Sequence, residues 1–241
     1  MSYYRHGPYR PTGGLAVPRV TPCVKAIAIA CVAVWIAQWL AWLGKLPLEG
    51  YLGLVPRAVL GGALWQPFTY MFLHSPGDVL HLLFNMLMLW MFGSELEGSW
   101  GSRGFLTFYL VCGLGAGLFI TGLGAASAPY AATVGASGAI YGLMMAYGIV
   151  FANRTILFMM LFPMRARTMA WIMFLIAFFS TVHAAPSGVS HVAHLGGAIT
   201  GYLYLKRAWR LGDFYRELRW KLRRRRFTVL PPDEGGDRWV N

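Results

Sequence analysis

Residues 22–43 read PCVKAIAIACVAVWIAQWLAWL, with Lys25 the single charge and Gln38 the single amide. About 20 mostly apolar residues in helical conformation cross a hydrocarbon core of roughly 30 Å, so this run is expected to span a membrane. It is too long for the h-region of a cleaved leader. Residues 1–21, polar and carrying Arg5, Arg10, Arg19 and three prolines, do not look like one either, so the run is expected to be retained. The whole chain agrees with this reading. Of 241 residues, 57% are hydrophobic and 12% charged, against about 25% charged in a typical globular domain, and the mean hydropathy is +0.50. A soluble globular fold is excluded at this level.

Five further segments qualify as spans, at about 79–97, 104–124, 135–152, 167–184 and 191–208. The expected fold class is thus an all-α polytopic membrane protein with six transmembrane helices and both termini on one side. Residues 155–163, TILFMMLFP, are apolar but too short to cross and are expected to be interfacial. The one long loop, 44–78, contains the apolar, aromatic stretch Leu60 to Phe72. It is expected to lie partly in the outer leaflet, with Trp65 and Tyr70 at headgroup level.

Charge orients the bundle. The chain carries 21 basic and 9 acidic residues, a net +12, and residues 206–241 hold 11 of the basic and 5 of the acidic ones. With six spans, 19 Lys/Arg fall on the side of the termini and only Lys45 and Arg57 on the other. By the positive-inside bias both termini are cytoplasmic, and spans two, four and six begin at the external face. The chain then divides into a cytoplasmic tail, 1–21, a six-span core, 22–208, and a basic cytoplasmic tail, 209–241. In that tail Trp209 to Arg226 places Leu211, Phe214, Leu218 and Leu222 at helical spacing among basic residues, as in an amphipathic helix lying on an anionic inner leaflet. At a juxtamembrane position the Arg223–Arg226 run is not expected to bind nucleic acid. Cys23, Cys31 and Cys112 lie in or beside apolar runs without metal-ligand spacing, so neither a disulfide framework nor a metal site is expected.

Polar side chains within a span are costly and call for an explanation. Four stand out: His81 and Asn85 in span two, Ser137 in span four and His194 in span six, each near the external start of its span. His81 and Asn85 are four residues apart and share a helical face. Ser137 lies in Gly135-Ala136-Ser137-Gly138-Ala139-Ile140-Tyr141-Gly142, where Gly138 and Gly142 form a small face suited to close helix contact. Gly197 and Gly201 repeat that spacing after His194, so the two glycine faces in contact would bring Ser137 to His194. Taken singly, the Ser reads as packing and each His or Asn as a satisfied interhelical bond. Taken together at one depth they read as a site, with Ser and His the minimal nucleophile and base and His81 and Asn85 supplying donors.

These residues resemble the rhomboid family of intramembrane serine proteases over about 22–208. The resemblance is carried by Trp65-Gln66-Pro67-Phe68-Thr69 through His74, His81-Leu82-Leu83-Phe84-Asn85, Glu95-Leu96-Glu97 with Trp100-Gly101, the Gly135–Gly142 stretch, and His191-Val192-Ala193-His194-Leu195-Gly196-Gly197 with Gly201. It implies a six-helix bundle in a bacterial inner membrane, without metal or cofactor, that cleaves transmembrane segments of other proteins near the outer face. It further implies Ser137 as nucleophile, His194 as base, His81 and Asn85 helping the Ser137 amide hold the oxyanion, and Tyr141 packing on the catalytic imidazole. A gate formed by span five and the loop at 184–190 is also implied.

Asp78 is expected to cap span two, His191 to serve structure or loop closure, and Glu95 and Glu97 to pair with loop groups near Arg103. Gln66 departs from the Arg that some relatives carry after the Trp, so the anchoring of the loop to the membrane is expected to differ. Two other classes compete. A catalytically silent rhomboid-like protein that binds membrane clients would be expected to lack Ser or His at these positions. A transporter would be favoured by an inverted repeat or by acids deep in the spans, and neither is seen.

Overall fold

Proline at the first helical position, with φ already suited to a helix, starts α1 (Pro22–Leu43), which ends at Gly44. The computed structural model describes residues 18–46, 48–158, 161–183 and 191–207. The tail expected at 1–17, the gating loop at 184–190 and the amphipathic helix expected from 209 lie outside the described residues. The long loop that follows α1 folds into short helices, α2 (Leu48–Leu52), α3 (Pro56–Leu60) and α4 (Gln66–Thr69), and a 3₁₀ turn over Tyr70–Phe72.

Span two begins as α5 (Val79–Met88), where the Asp78 carboxylate caps the helix by accepting from the His81 N–H at 3.1 Å. It continues through a π-helical turn, Leu89–Gly93, into α6 (Ser94–Ser127). At Gly101 the backbone leaves the helical region (φ +73°, ψ 161°), a conformation open to glycine at little cost, and this breaks the helical path between the second and third expected spans. Then come α7 (Ser137–Val150), a hairpin of β1 (Thr155–Phe158) and β2 (Phe162–Arg165), α8 (Ala166–His183) and α9, helical over 191–207. Two helical stretches, Pro22–Leu43 and Val79–Ser127, are long and apolar enough to cross a membrane, and Ser137–Val150 and Ala166–Val182 are shorter apolar helices.

The described residues up to 205 form one unit with α7 at its centre. From Gly138 to Gly148 every α7 side chain except that of Tyr141 is buried, as suits a helix that is apolar all round. Tyr109, Phe92, Phe105 and Phe108 pack in the same core, with Phe92 edge-on to Tyr147 of α7. The outer helices show the reverse arrangement. On α1, Ile29, Ile36, Trp39 and Trp42 are exposed, and on α8 Trp171, Leu175, Ile176 and Phe179 are. Exposed apolar faces of this extent mark surfaces that meet something other than water.

Three sequence expectations change. The run at 155–163 is a β-hairpin, a departure from an all-α fold. It pairs Ile156 with Met164 and Phe158 with Phe162, and Leu161 N–H donates to the Phe158 carbonyl oxygen at 3.1 Å. Tyr70 does not lie at headgroup level: it is 1% exposed and its hydroxyl donates to the Gly113 carbonyl oxygen at 2.7 Å, whereas Trp65 remains 44% exposed. Glu95 pairs with Arg154 and accepts from the Tyr147 hydroxyl. Glu97 is buried and accepts from Thr21 Oγ1, the Cys23 and Val24 N–H groups and Ser102 Oγ. Glu97 thus meets a loop group beside Arg103, Ser102, as expected, whereas Glu95 does not. The Glu97 carboxylate lies at the start of α1, where unpaired N–H groups and the positive helix end favour an anion.

Candidate active site

Ser137 is the first residue of α7, so its own N–H has no intrahelical acceptor and points out of the helix start. The segment leading into it is fixed by the long loop. Leu54 and Thr133 exchange both backbone hydrogen bonds, at 2.9 and 2.8 Å, and Gly135 N–H donates to the Tyr70 carbonyl oxygen at 2.9 Å. Gly135 has φ +126°, a conformation that disfavours any side chain. A Cβ there would also stand 3.0 Å from His81 Nε2 and 3.8 Å from Ser137 Oγ, so His81 and Ser137 border the same small space.

On the far side of Ser137 lies α9. His194 Nε2 is 2.9 Å from Ser137 Oγ, within hydrogen-bond range. The Tyr141 ring, one turn below Ser137 on α7, stacks on the His194 imidazole with centroids 4.1 Å apart and planes 4° from parallel. This closeness depends on glycine on both helices. A side chain at Gly197 would run into the Gly138 backbone, and one at Gly201 would lie 3.0 Å from Gly142 Cα. The chain therefore brings together Ser137, His194 and Tyr141, with Gly138 against Gly197 and Gly142 against Gly201. Both Ser137 and His194 are half-buried.

Asn85 is placed differently from a free donor. It is buried, and its Nδ2 donates to the His81 carbonyl oxygen at 2.7 Å, which commits one of its two amide hydrogens to its own helix. His191 meets His194 edge-on with centroids 6.1 Å apart. His74 is fully buried with its ring 5.2 Å from that of His81, and its N–H is held by Gln38 Oε1 at 2.9 Å.

Two supports of the site were not read from the sequence. Gln38, 2% exposed on α1, also reaches Glu49 and so ties the first helix to the loop that carries His74. The residue that departs from the family pattern, Gln66, takes up loop anchoring itself. Its Oε1 accepts from Val55 N–H at 2.9 Å, and its Nε2 lies 3.2 Å from the Tyr51 carbonyl oxygen and 3.4 Å from that of Gly50. The Val55 bond needs an acceptor, which a guanidinium lacks. A buried amide on an apolar span was the available signal for Gln38, while for Gln66 only the loop's folded path reveals the partners.

Among known proteins, the family model described as Rhomboid domain matches residues 61–210, more than half of the chain. The chain belongs to the rhomboid family. This rhomboid is 32% identical over 161 residues to RHOMBOID-like protein 4 of Arabidopsis thaliana, a match that takes in 66% of the present chain and 38% of the relative. It is 34% identical over 158 residues to the rhomboid protease AarA of Providencia stuartii, covering 60% of the chain and 56% of the relative. Against the rhomboid protease GlpG of Salmonella choleraesuis it is 32% identical over 126 residues, with 52% and 42% covered. The chain thus spans less than two thirds of the length of each.

Proposed function

We propose that this rhomboid is an intramembrane serine endopeptidase that cleaves transmembrane segments of other proteins near the outer face of a bacterial inner membrane. The observation that carries the reading is the 2.9 Å approach of His194 Nε2 to Ser137 Oγ, with the ring stacked on Tyr141. Six spans with cytoplasmic termini are the topology proposed. Its supports are the charge distribution of 19 basic residues against 2, the exposed apolar faces of α1 and α8, and helices over each expected span.

In this reading His194 Nε2, unprotonated, takes the Ser137 hydroxyl proton as Oγ bonds to the scissile carbonyl carbon. The negative oxygen that develops faces the start of α7, where the Ser137 N–H and the helix end stabilise it. His81 and the uncommitted Asn85 hydrogen are the side-chain donors proposed beside it. The imidazolium then gives its proton to the leaving amine as the C–N bond breaks, and a water activated by the same imidazole releases the acyl group from Oγ. Tyr141 limits rotation of the ring, so that one nitrogen faces Ser137 throughout. Because the scissile carbonyl must leave its own helical hydrogen bond, substrate segments with Gly or Pro near the outer end are expected to be cut faster.

The test is cleavage of a single-span model protein in liposomes by the wild type, Ser137→Ala and His194→Ala. Both variants are expected to be inactive while retaining the wild-type melting profile. Processing that survives both would remove the dyad.

A further inference from the structure

The hairpin between α7 and α8 is exposed at one end and fixed at the other. At its base Ala166 N–H donates to the Arg154 carbonyl oxygen at 2.9 Å and Arg167 N–H to that of Ala152 at 3.2 Å, joining β2 and the start of α8 to the turn after α7. One face of the ribbon, with Ile156, Phe158 and Met164, packs on the core. Beyond them the apolar side chains continue past the core and are largely exposed: Leu161 is 72% exposed and Phe162 58%. Beside them Arg165 and Arg167 are exposed, and among the described residues neither has an acidic partner. Among the described residues, the acids at this end of the bundle are already engaged, Glu95 with Arg154 and Glu97 with the start of α1.

We propose that this hairpin is a lipid contact, with Leu161 and Phe162 inserted among the acyl chains of the cytoplasmic leaflet and Arg165 and Arg167 on the headgroups of anionic phospholipid. The inference rests on the orientation given under the proposed function, which puts the turn between spans four and five on the inner side. Charge complementarity selects the occupant. An apolar end bordered by exposed arginines matches an interface that is anionic outside and hydrocarbon within, where Arg stems lie along apolar surface and their heads stay at phosphate level. A two-stranded ribbon has little stability alone, and both of its ends here are held by packing, one by the protein and one by lipid.

The experiment uses the full chain in vesicles of phosphatidylethanolamine and phosphatidylglycerol, with Cys23→Ser introduced and the fully buried Cys31 and Cys112 left in place. A spin label is attached at Phe162→Cys and, in a second variant, at Leu161→Cys, with Tyr130→Cys as the water-exposed reference. Labels at 161 and 162 are expected to be several times more accessible to oxygen than to a water-soluble nickel chelate, the reverse of the label at 130. A higher phosphatidylglycerol fraction is expected to deepen them, and Arg165→Gln/Arg167→Gln to abolish that dependence.

Labels at 161 and 162 that are open to the chelate, as on a surface facing water or a soluble partner, would overturn the lipid assignment. A depth indifferent to phosphatidylglycerol would overturn the role of the arginines. Cleavage of a model substrate in the same vesicles separates this from the protease reading: intact cleavage with chelate-accessible labels defeats the hairpin proposal alone, and lipid-buried labels without cleavage defeat the protease alone.

Discussion

Gly142→Ala tests whether the distance between helices sets the chemistry one turn away. A methyl at 142 would stand 2.6 Å from Cys112 Cβ and 2.5 Å from its Sγ on α6, and 3.1 Å from the Gly197 carbonyl oxygen on α9. Carbon atoms rest at about 3.5–4.0 Å, so α7 must retreat from α6 by about 1 Å. It cannot retreat freely, because the same methyl is already tight against α9 and Gly201 is in close contact with Gly142. The helix must tilt or slide, and Ser137 moves with it. From 2.9 Å, a displacement of that size takes Oγ and Nε2 out of hydrogen-bond range.

Misplacement by about 1 Å typically costs about a hundredfold in rate, or about 2.7 kcal/mol of barrier, and overpacking a core costs a further 1–3 kcal/mol or so of stability. The assay is kcat/KM for a single-span substrate in liposomes, alongside thermal unfolding. The double variant Gly142→Ala/Cys112→Gly removes both clashing atoms and is expected to recover most of the activity. Gly122→Ala, where a methyl would meet nothing within 4 Å, is expected to change neither quantity appreciably. A fully active Gly142→Ala, or a folded double variant no better than the single one, would refute the reasoning.

Other substitutions separate support from chemistry. Tyr141→Phe keeps the ring on His194 and is expected to keep activity, while Tyr141→Ala should lose about tenfold in kcat, given that aromatic stacking contributes about 0.5–1.5 kcal/mol; equal rates for the two would deny the ring its orienting role. Gln66→Ala leaves the Val55 N–H without its acceptor and is expected to lower stability by about 1–3 kcal/mol in thermal unfolding, and Gln66→Glu, which keeps that acceptor but sets a buried carboxylate oxygen against the Tyr51 and Gly50 carbonyl oxygens, at least as much. Glu97→Ala removes the acceptor shared by α1 and Ser102 and is expected to cost about 3 kcal/mol or more; a variant that melts with the wild type would show that water replaces the carboxylate. Asn85→Ala is expected to slow cleavage about a hundredfold, in line with loss of one oxyanion donor, and an unchanged rate would assign Asn85 to its helix alone.

Much of the arrangement was legible because a bilayer imposes simple rules. Apolar runs coincide with α1, α7 and α8, of which α1 alone is long and apolar enough to cross a membrane, and equal glycine intervals after Ser137 and His194 indicated which helices would touch. Legibility failed where partners are distant in sequence. The charge count placed Arg154 on the inner side but could not choose between it and Arg103 for Glu95, since the choice depends on how α6 and α7 cross. The run at 155–163 has no decisive period, and its pairing comes from a turn and from the core beneath it. Tyr70 carries the sequence marks of an interfacial aromatic, and only the folded loop shows its hydroxyl directed to Gly113. The π turn at 89–93 left no recognisable trace in the residues.

The Glu97 carboxylate has a consequence for how the chain is made. The start of α1 at Cys23 is capped by a side chain 74 residues downstream. At about 5–20 residues per second of synthesis, several seconds pass between the two. In the topology proposed above, the opening amides of the first helix wait through that interval for their acceptor, and the helix is fastened once the chain as far as Glu97 has joined it, so one hydrogen-bonded carboxylate sets an order on assembly.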